Sequence, residues 1–282
     1  MTDGTGTTTR VYDAFNRTIS KNVPFFGTST YAYDITTVMV AGCTAQTTTD
    51  PKNNITRKIY DRVGRLWQVT ADGKTTVYTY NNNGSVHSVV YSDGSREDYT
   101  YTGDNLLDTL TNTKADGTVI DSYTYTYDGA HNMLSKTDSR GITAYVYDRF
   151  NRLISVTEPS GQTTTYTFDA AGNRKTQTVV LGTDTTITTY TYDSQNRLTG
   201  TQEQKNGVIT ETVVYTYDNN GNQLTKTSTA YIAGVPQTPV VEQTNTYDLF
   251  NQLISTITST GVTVITPTTE TVAESANPST VP

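Results

Sequence analysis

Polar and apolar positions alternate with a period of two along most of this chain. In Lys74-Thr-Thr-Val-Tyr-Thr-Tyr80, an extended strand puts Tyr78 and Tyr80 on one face and Val77 and Thr79 on the other. The same Tyr-x-Tyr element returns at Tyr31/Tyr33, Tyr99/Tyr101, Tyr123/Tyr125/Tyr127, Tyr145/Tyr147, Tyr190/Tyr192 and Tyr215/Tyr217, with Tyr166/Phe168 as a variant. Strands in register would stack these rings on one face, where cross-strand aromatic pairs contribute about 0.2–1 kcal/mol each. No stretch carries a helical period of useful length. The pattern predicts an all-β protein.

The strands are punctuated by a recurring turn. Tyr-Asp, two variable residues and then Gly or Asn appear as YDAFNR at Tyr12, YDRVGRL at Tyr60, YDRFNRL at Tyr147, FDAAGN at Phe168, YDSQNRL at Tyr192, YDNNGN at Tyr217 and YDLFNQL at Tyr247. Weaker copies begin at Tyr33, Tyr80, Tyr101 and Tyr127. Tyr60, Tyr80 and Tyr101, like Tyr127, Tyr147 and Phe168, set a basal step of 20 to 21 residues. That step belongs to repeat architectures, whose size scales with repeat number.

The turn follows from residue chemistry. Asp13, Asp61, Asp148, Asp169, Asp193, Asp218 and Asp248 can each accept a backbone N–H two residues on. Asn16, Gly64, Asn151, Gly172, Asn196, Gly221 and Asn251 are residue types that tolerate positive φ. Arg17, Arg65, Arg152 and Arg197 follow their aspartates by four residues and can pair with them. A second turn, such as Asp72-Gly73, Asp93-Gly94, Asp116-Gly117 or Asn206-Gly207, closes each unit as a β-hairpin. The expected array runs over residues 1–265, as one long curled sheet or partial shell. Residues 266–282, rich in Thr, Pro, Ser and Glu, read as a flexible tail or linker. YIAGVPQTP at Tyr231 reads as a longer loop between units.

Composition narrows the function. Mean hydropathy is −0.51, yet 21 tyrosines and a Thr content of roughly a fifth favour a solvated β surface over a coil. A formal net charge of −7 is unsuited to the nucleic-acid backbone, so no nucleic-acid partner is expected. No segment reaches the length of an apolar span, so no membrane insertion is expected either. The start lacks the basic and apolar regions of a signal peptide. The single cysteine, Cys43, can form no intrachain disulfide, and no histidine is placed to activate it.

The anchors YDRVGRL, YDRFNRL, YDSQNRL and FDAAGNR, with their 20-to-21-residue step, resemble the RHS/YD-repeat family. The resemblance covers roughly residues 11–265. It implies a long antiparallel sheet that spirals into a hollow shell, as in bacterial polymorphic toxins, insecticidal toxin complexes, cell-wall-associated proteins and related animal adhesion proteins. There the shell encloses or presents a toxic C-terminal domain. Full shells are several times longer than this chain. The family's self-cleaving Asp-Pro-x-Gly-type motif has no counterpart, because Asp50-Pro51 is followed by Lys52-Asn53.

No Ser-His-Asp, paired-acid or phosphate-loop constellation stands out, and His87 and His131 have no partner nucleophile, so no catalytic site is expected. One Asp per turn does not make a calcium loop, so no metal or cofactor is expected. The aromatic face comprises Tyr78, Tyr80, Tyr99, Tyr101, Tyr125, Tyr127, Tyr145, Tyr147, Tyr166, Phe168, Tyr190, Tyr192, Tyr215 and Tyr217. It reads first as the packed inner face of the sheet and second as a stacking surface for sugars. The leading expectation is a non-enzymatic scaffold or shell segment, extracellular or at the cell surface. The alternatives are a filament subunit joined through strand edges, with copies of itself or further repeat segments as partners, and a glycan-binding adhesin.

Overall fold

The computed structural model describes residues 2–3, 6–36, 42–261 and 263–265. The proposed tail at 266–282 and the end of the weak repeat after Tyr33 lie outside the described residues. The chain divides into two compact units, Met1–Gly161 and Gln162–Pro282. No helix occurs among the described residues, and the expected all-β array of antiparallel hairpins is found in each unit.

In the first unit, strands follow one another from Thr9–Tyr12 to Leu153–Thr157, and each pairs antiparallel with the next. A separate short ladder joins Thr2–Asp3 to Gly6–Thr7. The second unit repeats the meander from Thr163–Phe168 to Thr263–Ile265. The segment at Tyr231, expected as a loop, is instead a hairpin extension. Strand Gln223–Ile232 turns at Ala233-Gly234 and returns through Val235–Pro236 before the main sheet resumes at Val240–Tyr247. Ala233 and Gly234 both take positive φ, 49° and 78°, as a tight two-residue hairpin demands.

The Tyr-Asp turns share an irregularity in register, except at Tyr33-Asp34, which lies within strand Gly27–Thr36. Tyr60 pairs with Leu66, Tyr80 with Val86, Tyr147 with Leu153 and Tyr192 with Leu198, and each pairing follows a shift from the neighbouring residue. One extra residue stands on the strand that leaves the turn. Such a bulge raises local twist and leaves a backbone carbonyl beside the turn in need of a donor.

Burial is shallow. Among the described residues the buried apolar ones are Cys43, Ala45, Ile59, Val89 and Val213; Cys43, Ala45 and Ile59 cluster with half-buried Trp67. The tyrosine face is half-buried, while Thr79, Thr100, Thr126, Thr167, Thr191 and Thr216 are exposed on the other. The buried polar side chains Ser88, Ser228 and Asn245 are bonded, whereas the buried Oδ1 of Asn112 meets no donor. Buried Asn245 donates through Nδ2 to the Gln223 carbonyl at 2.9 Å, and its Oδ1 accepts from Gln243 and Thr256. With so little sealed apolar volume, stability in each unit rests on ladders that run from hairpin to hairpin.

Candidate functional site

The Tyr-Asp turn is built outward from its aspartate. The Asp13 N–H donates to the Arg17 carbonyl at 2.9 Å, and the Asn16 N–H to the Asp13 carbonyl at 3.0 Å. The Asp13 carboxylate then accepts from the Phe15 and Arg17 N–H groups, both at 2.9 Å. Asn16 takes φ 61°, the left-handed position foreseen for Asn or Gly. The same frame holds at Asp61/Gly64, Asp148/Asn151, Asp169/Gly172, Asp193/Asn196, Asp218/Gly221 and Asp248/Asn251. His131 occupies that position in the turn at Asp128, with φ 67°.

Each aspartate also holds the residue four positions on. Arg17, Arg65, Arg152 and Arg197 donate from Nε to Asp13, Asp61, Asp148 and Asp193 at 2.6–2.8 Å. At Asp128, Asp169 and Asp218 an asparagine does the same work, while at Asp248 it is Gln252, whose N–H donates to the carboxylate. Asn132, Asn173 and Asn222 donate from Nδ2 to Asp128, Asp169 and Asp218 at 2.8–3.1 Å. The sequence signal was a residue able to donate both from its backbone and from its side chain, and Asn qualifies as fully as Arg. Backbone and side-chain bonds from Arg17 hold the Asp13 carboxyl below its ordinary value, and bonds from Asn132 and Asn222 do so at Asp128 and Asp218.

These groups then reach the next hairpin. The Arg17, Arg65 and Arg197 guanidiniums lie 4.6, 4.5 and 4.8 Å from the ring centroids of Tyr33, Tyr80 and Tyr217, one repeat on. Those tyrosines donate their hydroxyls back to the carbonyls of Thr18 (2.8 Å), Leu66 (2.5 Å) and Leu198 (2.8 Å). Thr18, Leu66 and Leu198 pair with Tyr12, Tyr60 and Tyr192, immediately before the extra residue of each bulge. Tyr127, Tyr192 and Tyr247 do the same to Leu107, Arg174 and Gln223. Turn asparagines complete the ladder: Asn83 donates to Asn105, Asn132 to Asn151, Asn173 to Asn196 and Asn222 to Asn251, at 2.9–3.0 Å.

The aromatic positions therefore divide by job. Tyr80, Tyr127, Tyr192 and Tyr217 are hydroxyl donors to backbone. Tyr101 and Tyr147 hold the equivalent anchor positions, and burial raises both phenols. Tyr78, Tyr99, Tyr125, Tyr145, Tyr166, Tyr190 and Tyr215 stand two residues earlier on the same half-buried face as Phe168 and the anchors. Tyr190 donates to Gln177, and Tyr99 to Glu97. On the exposed face five central threonines bond a hydroxyl nine residues on: Thr79 with Ser88, Thr100 with Thr109, Thr126 with Ser135, Thr167 with Thr176 and Thr216 with Thr225, at 2.6–2.7 Å.

The residues weighed for chemistry stay dispersed. Cys43 is buried beside Ala45 and Ile59, and His87 is exposed. His131 Nε2 lies 3.7 Å from Asp104 at the rim of neighbouring turns. Among the described residues no group of three His, Cys, Asp or Glu side chains could hold a metal ion. No helix among the described residues is long and apolar enough to cross a membrane.

Comparison with known proteins meets the same repeat. The RHS repeat family matches residues 147–184, a stretch that opens on the YDRFNRL anchor. Among solved structures, TcdB2-TccC3 without its hypervariable C-terminal region superposes with a TM-score of 0.53 at 17% identity. That match covers 89% of this chain and 18% of the other, and the likeness is one of fold. The tRNA3(Ser)-specific nuclease WapA of Bacillus spizizenii is 23% identical over 165 residues. The tRNA nuclease WapA of Bacillus subtilis is 24% identical over the same length. Each alignment covers 58% of this chain and 7% of its relative, so the chain spans a small part of either. The resemblance to RHS repeats read from the anchors thus holds.

Proposed function

We propose that this chain is a non-enzymatic length of β-wall, an RHS-type scaffold that encloses or presents other material outside the cell or at the bacterial surface. One observation carries the reading. The conspicuous polar chemistry of each repeat, its Asp, its Arg or Asn and its anchor Tyr, is directed at its own turn or at the next hairpin. Groups committed to each other in this way extend a wall and leave little for a substrate. The fold likeness to TcdB2-TccC3 and the RHS match at residues 147–184 support the architecture. Their coverage supports reading the chain as one segment of a longer wall, or as a subunit that joins further repeat segments.

The nuclease names of the WapA relatives supply the competing class. Because this chain aligns with 7% of each, and carries a net charge of −7, we assign it no nuclease chemistry. Incubating the purified chain with tRNA tests that directly: intact tRNA is expected, and cleavage that tracks the protein through purification would overturn the non-enzymatic reading. Negative-stain imaging with light scattering tests the wall itself. Bounded curved particles are expected, whereas long filaments that grow with concentration would replace the wall with a self-assembling fibre.

A further inference from the structure

Charge is spread unevenly along this chain. Residues 1–65 hold eight Lys or Arg against five Asp or Glu, a net of +3, while residues 66–282 hold twelve against twenty-two, a net of −10. An acidic chain thus opens on a basic stretch, and a sign asymmetry of this kind points to an anionic partner. Arg17 and Arg65 are held by Asp13 and Asp61 on the Tyr-Asp edge of the first unit. Arg10, Lys52, Arg57 and Lys58 are exposed.

The edge opposite the Tyr-Asp turns adds apolar chemistry to that charge. Between strands Thr18–Val23 and Gly27–Thr36 the chain turns through Pro24-Phe25, closed by the Phe26 N–H donating to the Val23 carbonyl at 3.1 Å. Phe25 takes φ 65°, where the other turns of the first unit place Asn, Gly, Asp or His. A bulky side chain is strained there. The rings contribute almost no packing in return, since Phe25 is 95% exposed and Phe26 76%. The neighbouring turn, Asp50–Asn54, lies so close that a Cβ on Gly27 would stand 2.9 Å from Pro51 Cβ. It brings exposed Pro51 and Lys52 beside the Phe turn. Its Asp50 carboxylate is taken up by the Lys52 and Asn54 N–H groups. Ile55, 57% exposed, then opens the strand on which Arg57 shares its face.

A convex tip of phenyl rings flanked by cations fits a bilayer surface. Aromatic rings settle at the boundary of headgroups and acyl chains, and Lys and Arg beside them meet anionic headgroups. A soluble polyanion would engage the cations and leave the rings in water. We propose that this edge of the first unit docks on an anionic lipid surface, with Phe25 and Phe26 inserted at the interface and Lys52 and Arg57 against headgroup phosphates. The contact is peripheral and needs no spanning segment. It goes beyond the wall reading and does not depend on it, because a wall segment that ignores lipid remains a wall segment.

Co-sedimentation of the full chain with vesicles tests the proposal. Phosphatidylcholine vesicles with about a third phosphatidylglycerol are expected to retain the chain at least about tenfold better than phosphatidylcholine alone. Phe25→Gly with Phe26→Ser is expected to weaken that retention about tenfold or more, and Lys52→Glu with Arg57→Glu to weaken it about as much. Phe150→Ser, an exposed ring on a Tyr-Asp turn, is expected to leave it unchanged. Circular dichroism establishes that each variant keeps its strands; all five positions are exposed. Phe25→Trp adds a second indole to Trp67, and its emission is expected to shift to the blue on the anionic vesicles but not with soluble polyphosphate. The proposal is overturned if the anionic vesicles retain no protein, if a folded chain without both rings is retained as the parent is, or if Phe25→Trp emission stays unshifted. It is equally overturned if the vesicles fail and loss of both rings instead abolishes a concentration-dependent self-association seen by light scattering, which would assign the tip to a second copy of the chain.

Discussion

The two edges of the sheet solve the same problem with different chemistry. At both, a chain that has finished one strand must reverse. The backbone answer is often the same: Tyr91–Ser95 and Lys114–Thr118, opposite the Tyr-Asp edge, make the same pair of backbone bonds as Asp61–Arg65. Asp50–Asn54 goes further and copies the aspartate too, since Asp50 accepts from the Lys52 and Asn54 N–H groups and from Asn54 Nδ2. The Asp-Pro pair that stood out in the sequence is thus a turn. The difference lies in what leaves the turn. On the Tyr-Asp edge of each unit, Arg, Asn and Tyr carry polar contacts to the next hairpin. On the other edge neighbouring turns also meet by close packing, as where Gly27 faces Pro51. The turn alone does not make the array; the side chains that cross from turn to turn do.

Acid should have the largest effect, because it acts on many turns together, including Asp50, Asp93, Asp116 and Asp138 on the opposite edge. The carboxyls of Asp13, Asp128, Asp193 and Asp218 sit below the ordinary value of 3.8, held down by bonds from Arg17, Asn132, Arg197 and Asn222. A carboxyl lowered in the folded state stabilises the fold above its unfolded pKa and loses that contribution as pH falls through the folded one. Urea midpoints are expected to hold steady from pH 7 to about 5, then fall steeply below pH 4. A midpoint that drops between pH 7 and 5 would count against these aspartates as the cause.

Single substitutions sharpen the comparison. Asn151 has φ 59° and accepts from Asn132 at 3.0 Å. Asn151→Val should cost about 2 kcal/mol, since a β-branched residue is strained there and the bond between turns is lost. Asn151→Gly should recover most of it. Ser139→Val, on the opposite edge, should stay within about 0.5 kcal/mol. Removing one hydroxyl comes next. Tyr80→Phe leaves the Leu66 carbonyl without its donor and should cost about 1 kcal/mol, whereas Tyr78→Phe on the same strand should cost less than half of that. Equal losses at Tyr78 and Tyr80 would mean that the ring, not the carbonyl cap, carries the anchor.

What the sequence disclosed follows from locality. Asp13 meets Phe15 and Arg17 within five residues, so residue type alone announces the turn. Period-two alternation likewise separates Tyr78 and Tyr80 from Thr79. The tyrosine hydroxyls reach carbonyls 14 to 24 residues upstream, and those carbonyls need donors because of a bulge that no side chain advertises. Asn132, Asn173 and Asn222 were passed over because the arginine copies defined the expected partner.

The smallest expected effect probes the edge opposite the Tyr-Asp turns. Tyr91 donates to Glu97 Oε1 at 2.7 Å, and Tyr99 donates to the other oxygen of the same carboxylate. The bond to Glu97, aided by burial, pushes the Tyr91 phenol up to about 12. A phenol raised in the folded state adds nothing to pH dependence below pH 10, where folded and unfolded chains both keep the proton. Between 10 and 12 the unfolded chain ionises first, and stability falls. Tyrosinate absorbance in the folded chain should therefore include a late-titrating fraction near pH 12. Glu97→Gln should move that fraction toward pH 10, because the charge that opposes a phenolate is gone, while urea midpoints at pH 7 change little, since the amide keeps an acceptor for the phenols. If the late fraction persists in Glu97→Gln, burial rather than the shared carboxylate holds the proton. The pairing of Tyr91 and Tyr99 through Glu97 would then be a contact of packing alone.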